Sequence, residues 1–301
     1  MSAHNNTTCY FKNNSICYFT NMDTILYLNN ITLIVYGVIF SIAFPGICFA
    51  VCKLYPQVKP GQVAPVYVIN LLISDLIQIF ANPIWTILRV KILPCDIVRN
   101  IRFIYIFGLQ VNVFFMVTIS ADRYIMIAHA FWYRNIQNIR TSVLVSVTGW
   151  VSVAVVIIVK LCSPDCAEGW IMSVALLLPY PLVMFCFVGT WRALSKTSLS
   201  PFEKRRVLGI LALVLCVYTI LFLPFEKFFI DDITNNDNNT NCNFSIYQKT
   251  CVEILSALNP LFDVVLYVVM RRDVKDILKN LFSCFRQQNR TVTTIVADAS
   301  V

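Results

Sequence analysis

The chain has 301 residues, 58% of them hydrophobic and only 13% charged, with a mean hydropathy of +0.69. Soluble domains carry about a quarter charged residues, so this balance excludes a large soluble fold and indicates an integral membrane protein. The formal charge of +8 reads as membrane orientation, and nucleic acid is not an expected partner.

Residues 1–24 are polar and Cys-bearing, without the apolar core of a cleavable signal peptide. The first span is therefore expected to double as the targeting signal. Seven apolar segments follow, at 31–54, 65–88, 101–125, 142–161, 169–195, 205–230 and 248–270. Each has roughly the 20 residues a helix needs to cross the hydrocarbon core. Barrel strands are shorter, about ten residues, and alternate in polarity. The expected fold is all-α: a seven-transmembrane helix bundle spanning the bilayer. An outer N-terminal segment is expected over 1–30, the bundle over 31–270, and an amphipathic helix with an inner tail over 271–301.

An odd number of spans puts the termini on opposite sides. With the N-terminus outside, the inner side collects Lys53, Lys59, Arg123, Arg134, Arg140, Arg192, Lys196, Lys204, Arg205 and Arg206, and all the basic residues after 270. That excess follows the positive-inside rule. The glycosylation sequons at Asn5, Asn6, Asn13, Asn30, Asn238 and Asn243 then all fall outside. So do Cys9, Cys17, Cys95, Cys162, Cys166 and Cys242, where disulfides persist. Pairing does not follow from sequence. Cys95 is expected to join Cys162 or Cys166, and Cys242 an N-terminal cysteine. Cys162 and Cys166 have metal-like spacing but no His nearby, so no metal is expected there.

Along the spans, Pro45, Pro83, Pro179, Pro181, Pro224 and Pro260 each remove a backbone hydrogen bond and can bend a helix. The third span closes on "ADRY". A charged pair costs less at a helix end than at mid-bilayer. Asp122 can neutralise Arg123 there, and breaking the pair frees a guanidinium for another partner; a boundary charge pair beside an interfacial Tyr is the plainer alternative. Asp75 and Asp263 lie deep in the second and seventh spans, where ionisable residues need partners. Asn112 and Asn259 supply amides, and Asn259 shares a helix face with Asp263 four residues on. This set suits Na⁺ or one shared proton; a packing network without an ion is the alternative.

These residues carry a resemblance. "NLLISD" with Asp75, "ADRY", Trp150 in "TGW", a Pro in span five, "FLPF" with Pro224, "NPLFDVVLY" and "RRDVKDILKNLFSCF" recur in order over residues 25–285. The chain resembles a class A (rhodopsin-like) G-protein-coupled receptor. The resemblance implies a plasma-membrane receptor that is not an enzyme, with a small extracellular ligand, a heterotrimeric G protein and arrestin as partners. It implies Asp122, Arg123, Tyr124 and Tyr267 as the activation switch, and Tyr218, Phe222 and Pro224 as an aromatic pivot. It makes Asp75, Asn112, Asn259 and Asp263 a sodium pocket, with no other cofactor. It implies a short amphipathic eighth helix with Cys284 as a palmitoylation candidate. Asp at 263 is similar to the branch of purinergic, protease-activated, lysolipid and proton-sensing receptors.

The chain departs from the family pattern in places. Ile47 stands where the family has Asn, Val264 where it has Pro, and Phe222 where Trp is common. Lys204 takes the usual place of an acid facing Arg123, which leaves ligand-independent activity open. Arg102 matches an Arg of lysolipid receptors and suits an anionic headgroup, with Tyr105, Glu226, Lys227 and Glu253 as candidate neighbours; a rim of salt bridges is the alternative. Glu226 replaces a purinergic His, and only His4 and His129 are present, so proton sensing would rest on Asp75 and Asp263 alone. Ala257 takes the place of a Schiff-base Lys, which excludes a light receptor. A transporter or channel is a remote alternative, without visible inverted repeats. No HExxH or GxSxG motif suggests an enzyme.

Overall fold

The computed structural model describes residues 22–57, 64–90, 95–136, 138–162, 171, 173–197, 201–224, 227 and 242–270. Among these residues every regular element is helical, and seven helices are long and apolar enough to cross a membrane. Helices satisfy their own backbone groups, which hydrocarbon cannot do for them.

Span one runs Met22–Leu54, span two Ala64–Val90 and span three Cys95–Ala128. A short helix, Ala130–Ile136, follows span three. Span four is Ile139–Cys162 and span five Ser173–Lys196. Span six is an α-helix over Pro201–Val217 that continues as a π turn over Tyr218–Phe222. Span seven has two pieces, Cys242–Ala257 and Asn259–Met270. Spans one and seven begin earlier than their apolar runs suggest. The buried Leu28 extends the core-facing side of span one back into the polar flank, so Asn30 is helical.

Span three is the axis, with 67% of its apolar window buried against 28% for spans one, four and five. It packs on spans two, four, five and six, while span one closes the ring against spans two and seven. Span four shows why. Ser142, Ser146, Gly149, Val153, Ile157 and Lys160 form its buried face. Leu144, Val147, Val151, Val155 and Ile158 form the exposed face. Small and polar residues thus face protein and branched apolar residues face lipid, as expected where packing and interhelical hydrogen bonds drive association. A Cβ at Gly149 would overlap the Phe114 ring of span three, so glycine is what lets these helices meet. Next to it, Trp150 Nε1–H donates to Asn70 Oδ1 on span two at 2.9 Å.

The prolines act unequally. Pro45 and Pro83 sit inside continuous helices. Span five carries a one-residue turn at Leu178, just before Pro179, where the backbone keeps helical φ and ψ, and span seven breaks at Leu258, two residues before Pro260. The π turn ends just before Pro224. All three interruptions lie in spans five, six and seven.

Candidate functional site

Asp75 on span two and Asp263 on span seven are both buried, 0% and 1% exposed. Asn112 of span three stands between them. Its Nδ2 donates to Asp75 Oδ1 and to Asp263 Oδ2, each at 2.8 Å. Asn259 Nδ2 donates to Asp263 Oδ2 at 3.3 Å. The break in span seven creates this arrangement. Pro260 has no N–H to give, and Leu258 N–H bonds Leu255 O at 3.2 Å, a tightened turn. The helix restarts at Asn259, whose side chain lies over Asp263 one turn on. Asp75 Oδ2, Asn112 Oδ1 and Asn259 Oδ1 are buried without a donor. A bare buried acceptor costs about 1–3 kcal/mol. Oxygen-only groups of this kind fit a small hard cation or a shared proton by their chemistry. Among the described residues no group of three or more His, Cys, Asp or Glu could hold a metal ion.

Towards span six, Tyr218, Leu221 and Phe222 are buried in the π turn, where Leu223 N–H reaches back five residues to Tyr218 O. The Tyr218 hydroxyl donates to Leu176 O of span five. Its ring lies 5.2 Å from Phe222 and 5.6 Å from Tyr180, centroid to centroid. The aromatic pivot residues are thus packed together and tied across to span five. Tyr267 is also in the core, 1% exposed.

At the C-terminal end of span three, Arg123 Nε lies 4.0 Å from Asp122 Oδ2. Its Nη1 lies 3.8 Å from Met126 Sδ. Asp122 has a second partner that sequence reasoning missed: Tyr133 Oη donates to Asp122 Oδ1 at 2.9 Å from the short helix after span three. Burial, then the Asp122 charge, raises the Tyr133 phenol above its ordinary range, so it stays a donor. Tyr124 packs edge-on to Phe185 of span five, centroids 5.4 Å apart. Gly189 of span five makes room, since a Cβ there would lie 2.5 Å from Tyr124 Cε2.

In the opposite half, Tyr105 Oη and Ser256 Oγ are 3.0 Å apart, and Ser256 Oγ donates to Glu253 O at 2.9 Å. Arg102 and Glu253 both lie within electrostatic reach of Tyr105. Arg102, Tyr105 and Glu253 are therefore brought together, whereas Lys227 is exposed. Nearby, the buried Lys160 places Nζ 4.8 Å from the Phe103 ring centroid.

The profile of the family described as "7 transmembrane receptor (rhodopsin family)" matches residues 54–267. The chain belongs to this family. It is 26% identical over 218 residues to CX3C chemokine receptor 1 of Homo sapiens, covering 64% of this chain and 60% of the relative. It is 29% identical over 122 residues to C-C chemokine receptor type 4 of Homo sapiens, covering 40% and 34%. The chain spans less than two thirds of the length of these curated relatives. Both are named as chemokine receptors, so they do not carry the finer branch read from Asp263.

This rhodopsin-family chain absorbs its departures by packing. Ile47, in place of Asn, is fully buried in the core. Val264, in place of Pro, sits against Gly46, where a Cβ would lie 3.1 Å from Val264 Cγ1. Of the cysteines expected outside, Cys162 alone has a described side chain. Cys162 is a free, exposed thiol at the end of span four and is unpaired in this structure. Cys9, Cys17, Cys166, Cys284, Asn5, Asn6, Asn13, Asn238 and Glu226 lie outside the described residues, as does the expected eighth helix. Cys95, Cys242 and Asn243 fall in helices, but their side chains are outside the description. A second missed residue is Gln78, whose Nε2 donates to Asp75 Oδ1 at 3.4 Å. Its place one turn from Asp75 was a readable signal. Tyr133 gave none, because it stands eleven residues from Asp122, beyond the turn at His129.

Proposed function

We propose that this chain is a plasma-membrane G-protein-coupled receptor, N-terminus outside, that passes an extracellular ligand's binding to a heterotrimeric G protein, with arrestin as a later partner. One observation carries the reading: span three holds Asn112 in the buried acid cluster and Arg123 at the inner end, on one continuous helix. The movable parts face that helix. Spans five, six and seven each carry an interruption beside a proline, and interrupted helices are natural hinges. A bound Na⁺ would supply positive charge between Asp75 and Asp263 and would favour the closed arrangement. Shifting span seven would separate Asp263 from Asn112, and span three would then release Arg123 from Asp122 towards the G protein.

The ligand class is supported from two directions. The names of both relatives favour a chemokine-type protein ligand. The grouping of Arg102 with Tyr105 and Glu253 favours a small anionic, lysolipid-like ligand held by a guanidinium. The first is the leading reading, because it draws on matches along much of the chain. Membranes bearing the receptor and a G protein should be given chemokines, lysolipids and acid steps separately, reading nucleotide exchange. A chemokine response is expected, and Arg123→Ala should abolish it at normal surface expression. Exchange that survives Arg123→Ala defeats the coupling role. If a lysolipid responds instead, and Arg102→Ala weakens it by roughly tenfold or more, the second reading replaces the first.

A further inference from the structure

Gln78 has no part in the residue set expected from sequence, yet it is fully buried, 0% exposed, with its amide at the acid cluster. Its Nε2 is committed to Asp75 Oδ1 at 3.4 Å and to Ser74 O at 3.5 Å. Its Oε1 is buried without a donor. Three more oxygens in the same cluster share that condition: Asp75 Oδ2, Asn112 Oδ1 and Asn259 Oδ1. All four are acceptors, and the amide groups of Gln78 and Asn112 already donate to Asp75, Asp263 and Ser74 O, so a cation is one way to satisfy them together.

Space for this glutamine is created on span three. A Cβ at Gly108 would lie 3.0 Å from Ile77 Cγ2 and 3.3 Å from Gln78 Cγ. Contacts that tight would push the Gln78 stem away. The glycine and the glutamine therefore make one device: span three yields volume one turn from Asn112, and span two fills it with Ile77 and the stem that carries the Gln78 amide. A glutamine oxygen adds a ligand without a third negative charge, which suits a monovalent ion already facing two carboxylates.

We propose that Gln78 Oε1 is a direct ligand of a monovalent cation held with Asp75, Asn112, Asn259 and Asp263, and that Gly108 is required to seat it. The assignment rests on the cation reading of the acid cluster made above. A test uses purified full-length receptor and sodium-dependent thermal unfolding, with NaCl exchanged for choline chloride at constant ionic strength. Sodium should raise the wild-type midpoint by mass action, and Asp75→Asn should remove the effect. Gln78→Leu should shift the sodium titration to roughly tenfold higher concentration, whatever it does to the sodium-free midpoint. Gln78→Glu keeps an oxygen there and should not shift the titration upward. Gly108→Val should weaken sodium dependence as Gln78→Leu does. A wild-type sodium response that Gln78→Leu leaves in place overturns the Gln78 assignment alone. A flat wild-type titration removes the cation reading as well, and leaves the receptor reading to its own exchange assay.

Discussion

The carboxylate of Asp122 is divided between two partners. One oxygen accepts the Tyr133 hydroxyl at 2.9 Å and the other faces Arg123 Nε at 4.0 Å. The closer contact is with the tyrosine, so the guanidinium is held loosely. Removing the hydroxyl with Tyr133→Phe frees a carboxylate oxygen to take Arg123 in a forked pair. A hydrogen bond to a charged group contributes about 1.5–3 kcal/mol. If about 1 kcal/mol of that passes to the Arg123 pair, ligand-free nucleotide exchange should fall roughly fivefold. Basal exchange at the wild-type rate in Tyr133→Phe would show that the tyrosine does not set the strength of the pair. Phe keeps the ring, so packing of the short helix should be preserved and surface expression unchanged.

Helix contacts here depend on glycines placed against aromatic rings of span three. Gly149 meets Phe114, and Gly189 meets Tyr124. Gly149→Ala forces a methyl into the Phe114 ring, and overpacking of this kind costs about 1–3 kcal/mol. The purified receptor's thermal midpoint should drop by several degrees, without change in sodium titration; an unchanged midpoint would mean that spans three and four separate freely. Much of this level was readable in advance. Length and hydropathy located all seven spans, and the i, i+4 spacing of Asn259 and Asp263 placed them on one face. The unequal action of the prolines was not readable. Pro83 and Pro260 look alike as letters, yet one helix runs on and the other restarts, because neighbouring helices decide whether the freed carbonyl is accommodated. The π turn before Pro224 is likewise a product of packing around Tyr218, which sequence periodicity does not report.

The acid cluster joins spans two, three and seven, whereas the Arg123 pair lies at the far end of span three. A signal between them has direction only if the two ends of the bundle face different compartments. Any spanning helix gives that result; the odd count of seven places the two termini on opposite sides, and the basic residues after 270 and around Lys204, Arg205 and Arg206 predict the sense. Lys and Arg resist transfer across the bilayer far more than neutral polar residues do, so the charge bias predicts an N-terminus outside. An epitope placed before Asn5 should therefore stain on intact cells, and one placed after Ser300 only after permeabilisation. Asn13→Gln should reduce the mass of the glycosylated receptor if that terminus enters the secretory lumen. Staining of both ends on intact cells would put Arg123 and the outer cluster of Arg102, Tyr105 and Glu253 in an even-numbered bundle. The orientation predicted from charge, and with it the inward direction proposed for the signal along span three, would then fail.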